Sequence, residues 1–180
     1  MNRFSYKHDV QQLIEKRELV EFGLQGASTF GQGYILKYND DFITITAVNP
    51  AYLYSGTSIF PTEQIEYLSV DTSFLREFAK RVDATAVYQE ALQTIQTVKD
   101  FTFDGFISCF EGTQTYLEIA TDEDSFVCTI VGHDETIVAV DEYSQNNTQR
   151  IAHSYYPKAR IKAILLNSSY AQLVQNFLKK

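Results

Sequence analysis

The feature that most constrains the fold is a repeat. Ser58–Phe78 reads SIFPTEQIEYLSVDTSFLREF, and Ser154–Val174 reads SYYPKARIKAILLNSSYAQLV. Aligned at an offset of 96 residues, 4 of these 21 positions are identical: Ser58/Ser154, Pro61/Pro157, Ile65/Ile161 and Ser73/Ser169. Average composition gives roughly one such identity by chance. The pattern carries more weight than the identities. Phe60/Tyr156, Leu68/Ile164, Val70/Leu166 and Phe74/Tyr170 keep apolar character, and Asp71-Thr72-Ser73 and Asn167-Ser168-Ser169 keep a helix cap. Upstream the offset becomes 95, and Ile35, Phe42, Ile43 and Ile45 meet Ile130, Ile137, Val138 and Val140. The one-residue change falls in the loops after Asn49 and after Ser144, where insertions are tolerated. A repeat of this kind means that one supersecondary unit is used twice.

The period of the apolar residues fills in the unit. Residues 8–17 predict a short helix, with Val10, Leu13 and Ile14 on one face. From Leu19 the pattern turns to strands: Leu19–Leu24, Tyr34–Tyr38, Phe42–Val48, Thr57–Phe60 and Gln64–Val70. Asn39-Asp40-Asp41 is a turn signal, and Pro61 marks a corner. Phe74, Leu75, Phe78 and Val82 form a helical stripe, and Ala84, Tyr88, Ala91, Leu92, Ile95 and Val98 form a second, out of phase with it. Either the helix breaks there, with Asp83 as a new cap, or one long helix serves two cores. Both place a junction near residue 83. In the second half Phe103–Phe110 and Thr115–Thr121 read as paired strands joined around Glu111-Gly112. Phe126–Val131, Thr136–Tyr143, Ile151–Tyr156 and Arg160–Leu166 follow, then a helix capped by Ser169, with Gln172 completing a capping box.

The expected class is mainly β with helices (α+β). Two tandem five-stranded barrels are expected, each followed by a helix, over residues 1–82 and 83–180. The competing expectation is one irregular α+β domain without a true repeat.

The unit resembles the Sm-like fold, an SH3-type small β-barrel found in Sm and Hfq-type RNA-binding proteins. The positions that carry the resemblance are Gly33, Ile35, Tyr38, Asn39, Phe42 and Ile43 in the first copy. In the second they are Cys128, Ile130, His133, Asp134, Ile137 and Val138. The resemblance implies a scaffold without the family's RNA chemistry. Ile43 and Val138 stand where the RNA-contacting Asn belongs, and Phe60-Pro61 and Tyr156-Pro157 replace the basic-Gly step. It also implies assembly through edge strands, since Sm-like units form rings by edge pairing.

Charge points the same way. Fifteen Lys and Arg stand against 23 Asp and Glu, a net charge of −8. Nucleic-acid binders draw most of their affinity from phosphate contacts, so this balance argues against that class. The closest basic grouping, Lys158, Arg160 and Lys162, reads as a solvated strand face. The 12 Tyr and 13 Phe suit half-buried sheets and an interaction face.

No catalytic, cofactor-binding or metal site emerges. Cys109 and Cys128 read as reduced, buried residues, with no CxxC pair. His8, His133 and His153 lack metal-ligand spacing. His133, beside Asp134 and Glu135, reads as an exposed turn residue, and a Cys128–His133 nucleophile pair does not obviously meet. Asp122, Glu123 and Asp124 form an acidic turn without an EF-hand pattern. Gly26, Gly31 and Gly33 make no phosphate loop. Asn146-Asn147-Thr148 matches a glycosylation acceptor. The start, MNRFSYKHDVQQ, lacks a secretory apolar stretch, and no apolar run nears the ~18 residues of a membrane helix. The expectation is therefore a cytoplasmic, non-catalytic interaction or assembly module without a cofactor. It would bind an unknown protein partner or associate with itself through edge strands. The alternatives are a single-stranded RNA-binding regulator of Sm-like type and an enzyme whose site is dispersed.

Overall fold

Strands form where apolar residues alternate most densely, and turns where Asn, Asp or Pro interrupt them. The fold is given by a computed structural model that describes residues 6–26, 30–144 and 149–178. Helix α1 (Tyr6–Lys16) precedes β1 (Leu19–Leu24), β2 (Phe30–Tyr38), β3 (Phe42–Val48), β4 (Tyr54–Pro61) and β5 (Ile65–Ser69). Helices α2 (Ser73–Ala79) and α3 (Ala84–Ile95) follow. The second half runs α4 (Phe103–Phe110), β6 (Leu117–Thr121), β7 (Ser125–His133), β8 (Ile137–Tyr143), β9 (Arg150–Pro157), β10 (Ile161–Leu166) and α5 (Ser169–Leu178).

The ten strands form one antiparallel sheet in the order β5-β1-β2-β3-β4-β10-β6-β7-β8-β9. This corrects the expectation of two closed barrels. Neither half closes on itself, because β4 pairs with β10 across the chain. Ile164 stands opposite Ile59, Leu165 opposite Ser58 and Leu166 opposite Thr57. Joining two edges satisfies their backbone groups and buries apolar side chains on both, so that contact replaces internal closure. The largest core cluster likewise draws on both halves. It takes Tyr34, Leu36 and Ile59 from the first and Phe106, Leu117, Ile130 and Ile164 from the second, together with Val87, Ala91 and Ile95 of α3. A smaller cluster packs Val10 of α1 on Val20, Ile35, Ile43, Ile45 and Phe60.

The two halves follow one plan down to single hydrogen bonds. Asn39 Oδ1 accepts from the amides of Asp41 and Phe42, and Asp134 Oδ1 accepts from those of Thr136 and Ile137. These two amide donors hold the Asp134 carboxyl below the usual carboxylate range. The ladder slips between Ile35 and Lys37 in one half and between Ile130 and Gly132 in the other. Pro61 and Pro157 each lead into a single 3-10 turn. Asp71 and Asn167 both adopt a left-handed φ of 54°. Asn and Asp tolerate that region best after glycine.

The helices depart from expectation in two places. Residues 103–110 form α4, not a strand. Thr102 caps it by accepting from the Gly105 amide, and Phe103, Phe106, Ile107 and Phe110 are buried at helical spacing. Aromatic and β-branched residues favour strands in isolation, but tertiary burial of one helical face overrides that preference. The cap of α5 is Ser168, whose hydroxyl accepts from the Ala171 amide, while Gln172 reaches the Asn167 carbonyl. At the junction the broken-helix reading holds, since Asp83 caps α3 through the Ala86 amide. Gly33 is required by a close approach, because any Cβ there would overlap the Thr46 carbonyl oxygen.

Candidate interaction edges

A sheet of this order has two ends. β5 is bonded only to β1, and β9 only to β8, so each presents one unpaired side. Alternation explains what those strands display. Along β9 the even residues 152, 154 and 156 turn toward the fold, and the odd ones face solvent. Ile151 is 61% exposed and Tyr155 is 66% exposed. Tyr67 of β5 and Val70 directly after it are also exposed.

The β5 end has a groove. It has a volume of about 410 Å³ and lies between α1 and β5. Val10, Leu13, Leu68 and Val70 supply its apolar wall, with Asp9, Lys16 and Glu66 at its rim. The counterpart elements of the other half, α4 and β10, both belong to the largest core cluster. Phe103 and Ile107 of α4 share a core cluster with Ile164 and Leu166 of β10 and with Ile59 of the neighbouring β4. Phe42 of the first half stacks on Phe103, with ring centroids 5.4 Å apart.

On the β9 end, Asp141, His153, Tyr155 and Arg150 form a polar row. His153 Nδ1 donates to Asp141 at 2.7 Å, Arg150 pairs with the same carboxylate at 2.8 Å, and the Tyr155 hydroxyl lies 3.1 Å from His153 Nε2. The His153 hydrogen bond, followed by Arg150, holds the Asp141 carboxyl below its usual range. This row fixes Tyr155 at the strand's exposed face.

His133 is not a bare turn residue. It ends β7, and its Nε2 lies 3.2 Å from Ser108 Oγ while its Nδ1 lies 2.7 Å from Glu111 Oε2. The order of atoms matches a serine-histidine-carboxylate relay. The sequence reading missed Ser108 and Glu111, because only a helix places residues three apart on one face. The surroundings do not suit acyl transfer. Ser108 sits within α4, where its amide belongs to the helix ladder and is no donor for an oxyanion. Cys128 does not join His133, being fully buried in the core.

The two thiols therefore differ. Burial pushes the Cys128 thiol far up, whereas Cys109 is only partly buried. Because the thiolate is the reacting species, a thiol reagent should titrate at most one cysteine, Cys109, in the folded chain. Denaturant should release the second. Two fast thiols in the native state would contradict the packing of Cys128.

The acidic turn is engaged rather than open. Asp122 pairs with Lys162 at 3.0 Å and Glu123 with Arg160 at 2.6 Å, and Lys158 pairs with Asp104 at 2.6 Å. Arg160 and Lys158 lie in a 3-10 turn rather than along one strand face. Their charges already meet carboxylates, which leaves little for phosphate. Among the described residues no group of three or more His, Cys, Asp or Glu could hold a metal ion, and no helix is long and apolar enough to cross a membrane. The Asn146-Asn147-Thr148 acceptor lies outside the described residues. No family model, no curated protein and no solved structure matches the chain.

Proposed function

We propose that this chain is a non-catalytic assembly module. Its two halves are Sm-like units, and its open sheet edges make the contacts. The observation that carries this reading is the pair of unpaired strands, β5 and β9, at the ends of a continuous sheet. An unpaired strand offers a row of backbone donors and acceptors to another chain, and charged residues or covering elements are the usual protection. Here the exposed positions of β9 include Ile151 and Tyr155, and β5 borders an apolar groove.

The loss of nucleic-acid chemistry supports the same reading. Ile43 and Val138 replace the RNA-contacting Asn of the Sm motif, and both are completely buried. A net charge of −8 opposes phosphate binding.

The test pairs solution mass with capture. The wild-type chain should be found in a complex, either with itself or with a captured protein. A variant carrying Val70→Lys and Tyr155→Lys should be found in neither, while keeping its fold. Binding to single-stranded RNA should be absent at about 50 mM salt. A strictly monomeric wild-type chain that captures nothing overturns the proposal, and so does tight, salt-dependent RNA binding.

A further inference from the structure

The groove between α1 and β5 joins an apolar wall to an acidic rim. Leu68 and Val70 stand in that wall where the second half has Ile164 and Leu166, at the offset of 96 residues. Ile164 is 0% exposed and Leu166 2%, on a strand with β4 and β6 at its two sides. Val70 is 42% exposed, and β5 is bonded only to β1. The same apolar positions are thus kept in both halves and covered in one.

The rim carries the charge. Asp9 lies near the start of α1, Glu18 just past its end and Glu66 on β5, with Lys16 as the one base beside them. Carboxylates therefore stand at both ends of the α1 wall and on the wall that faces it. All three are exposed. Among the described residues no ion pair engages Asp9, Glu18 or Glu66, whereas Asp71, Asp104, Asp122, Glu123 and Asp141 each meet a Lys or Arg.

From this we infer that the groove binds a short basic segment of another protein, with apolar side chains at its centre and Lys or Arg on both flanks. The inference rests on reading the β5 end as a contact surface and names what docks there. The apolar centre supplies affinity by leaving water against Val10, Leu13, Leu68 and Val70. The flanking cations supply selectivity, because opposite charges at a rim favour the right partner and like charges reject the wrong one. The lengths agree. The rise of α1 from Asp9 to Lys16 is about 10 Å, and three extended residues span roughly the same distance. The groove's volume of about 410 Å³ lies within the range of ligand clefts, roughly 300–1,000 Å³. The cations come from another protein because Arg76, Lys80, Arg150, Lys158, Arg160 and Lys162 of this chain already hold carboxylates.

Three labelled heptapeptides test the inference by fluorescence anisotropy at low salt, where rim charges act most strongly. Lys-Lys-Leu-Val-Leu-Lys-Lys should bind the wild-type chain. Glu-Glu-Leu-Val-Leu-Glu-Glu and Lys-Lys-Ser-Thr-Ser-Lys-Lys should each bind at least about tenfold more weakly. Val70→Lys should weaken the first peptide by at least about the same factor. Glu18→Lys combined with Glu66→Lys should reverse the preference, so that the acidic peptide binds better than the basic one. These substitutions alter exposed positions, so circular dichroism should show the variants folded. An equal response to the Ser-Thr-Ser peptide would reduce the contact to charge alone and overturn the inference. So would an equal response to the acidic peptide, unchanged binding by Val70→Lys, or no binding of the first peptide. If the peptide fails while Val70→Lys with Tyr155→Lys still removes the chain from its complex, the contact surface stands and only the chemistry of its occupant falls.

Discussion

Replacing Ile164 with alanine is expected to lower stability by about 2–5 kcal/mol and to loosen both halves together. Ile164 is fully buried in β10, which lies between β4 and β6. It faces Ile59 on one side and Ile119 on the other. Removing its branched side chain leaves a cavity on the seam of the sheet, and relaxation there would disturb the pairing of both neighbours. Urea denaturation gives the size of the loss. Hydrogen exchange followed in β2 and β7 gives its distribution. A single transition seen by both strands is the expected outcome, because their core residues belong to one cluster. If β7 opens while β2 stays protected, the halves are independent and the shared core does not couple them.

Phe106→Ala should cost about 3–5 kcal/mol. Phe106 is the largest of the fully buried side chains, and it packs on Phe110 with ring centroids 5.3 Å apart. Its helix is also the wall against which Phe42 of the first half rests, through Phe103. Leu92→Ala on α3 is the matched control. Leu92 is 51% exposed, so its loss should stay within roughly 0.5 kcal/mol. Thermal or chemical denaturation of the two variants separates the cases. Equal losses would mean that the apolar face of α4 is not buried.

Much of the unit was legible because local chemistry fixes it. The Asn39 and Asp134 turns, the Pro61 and Pro157 corners and the caps near Ser73 and Ser169 each depend on residues a few positions apart. Those signals survive in sequence, and so did the repeat. Closure did not, because the choice between closing each half and joining β4 to β10 depends on contacts about 100 residues apart. α4 was missed for a related reason. Phe103-Asp104-Gly105-Phe106-Ile107 looks strand-like until a buried surface is known for its apolar face. The candidate edges depend on the strand order, so no single motif could point to them. Tyr155 looked like any sheet tyrosine until β9 proved to be the last strand. The Ser108–His133–Glu111 relay was hidden by the misread helix, which alone brings Ser108 and Glu111 to one face.

The central proposal is that the two end strands make the chain's contacts with a partner, a further copy or another protein. Hydrogen exchange of the wild-type chain across a dilution series tests it most directly. As concentration rises, or as a captured protein is added, peptides covering β5 and β9 should exchange more slowly, while those covering β3 and β8, which are already paired on both sides, should not change. Exchange in β5 and β9 that is the same at every concentration, in a chain that also captures no other protein, would contradict the account.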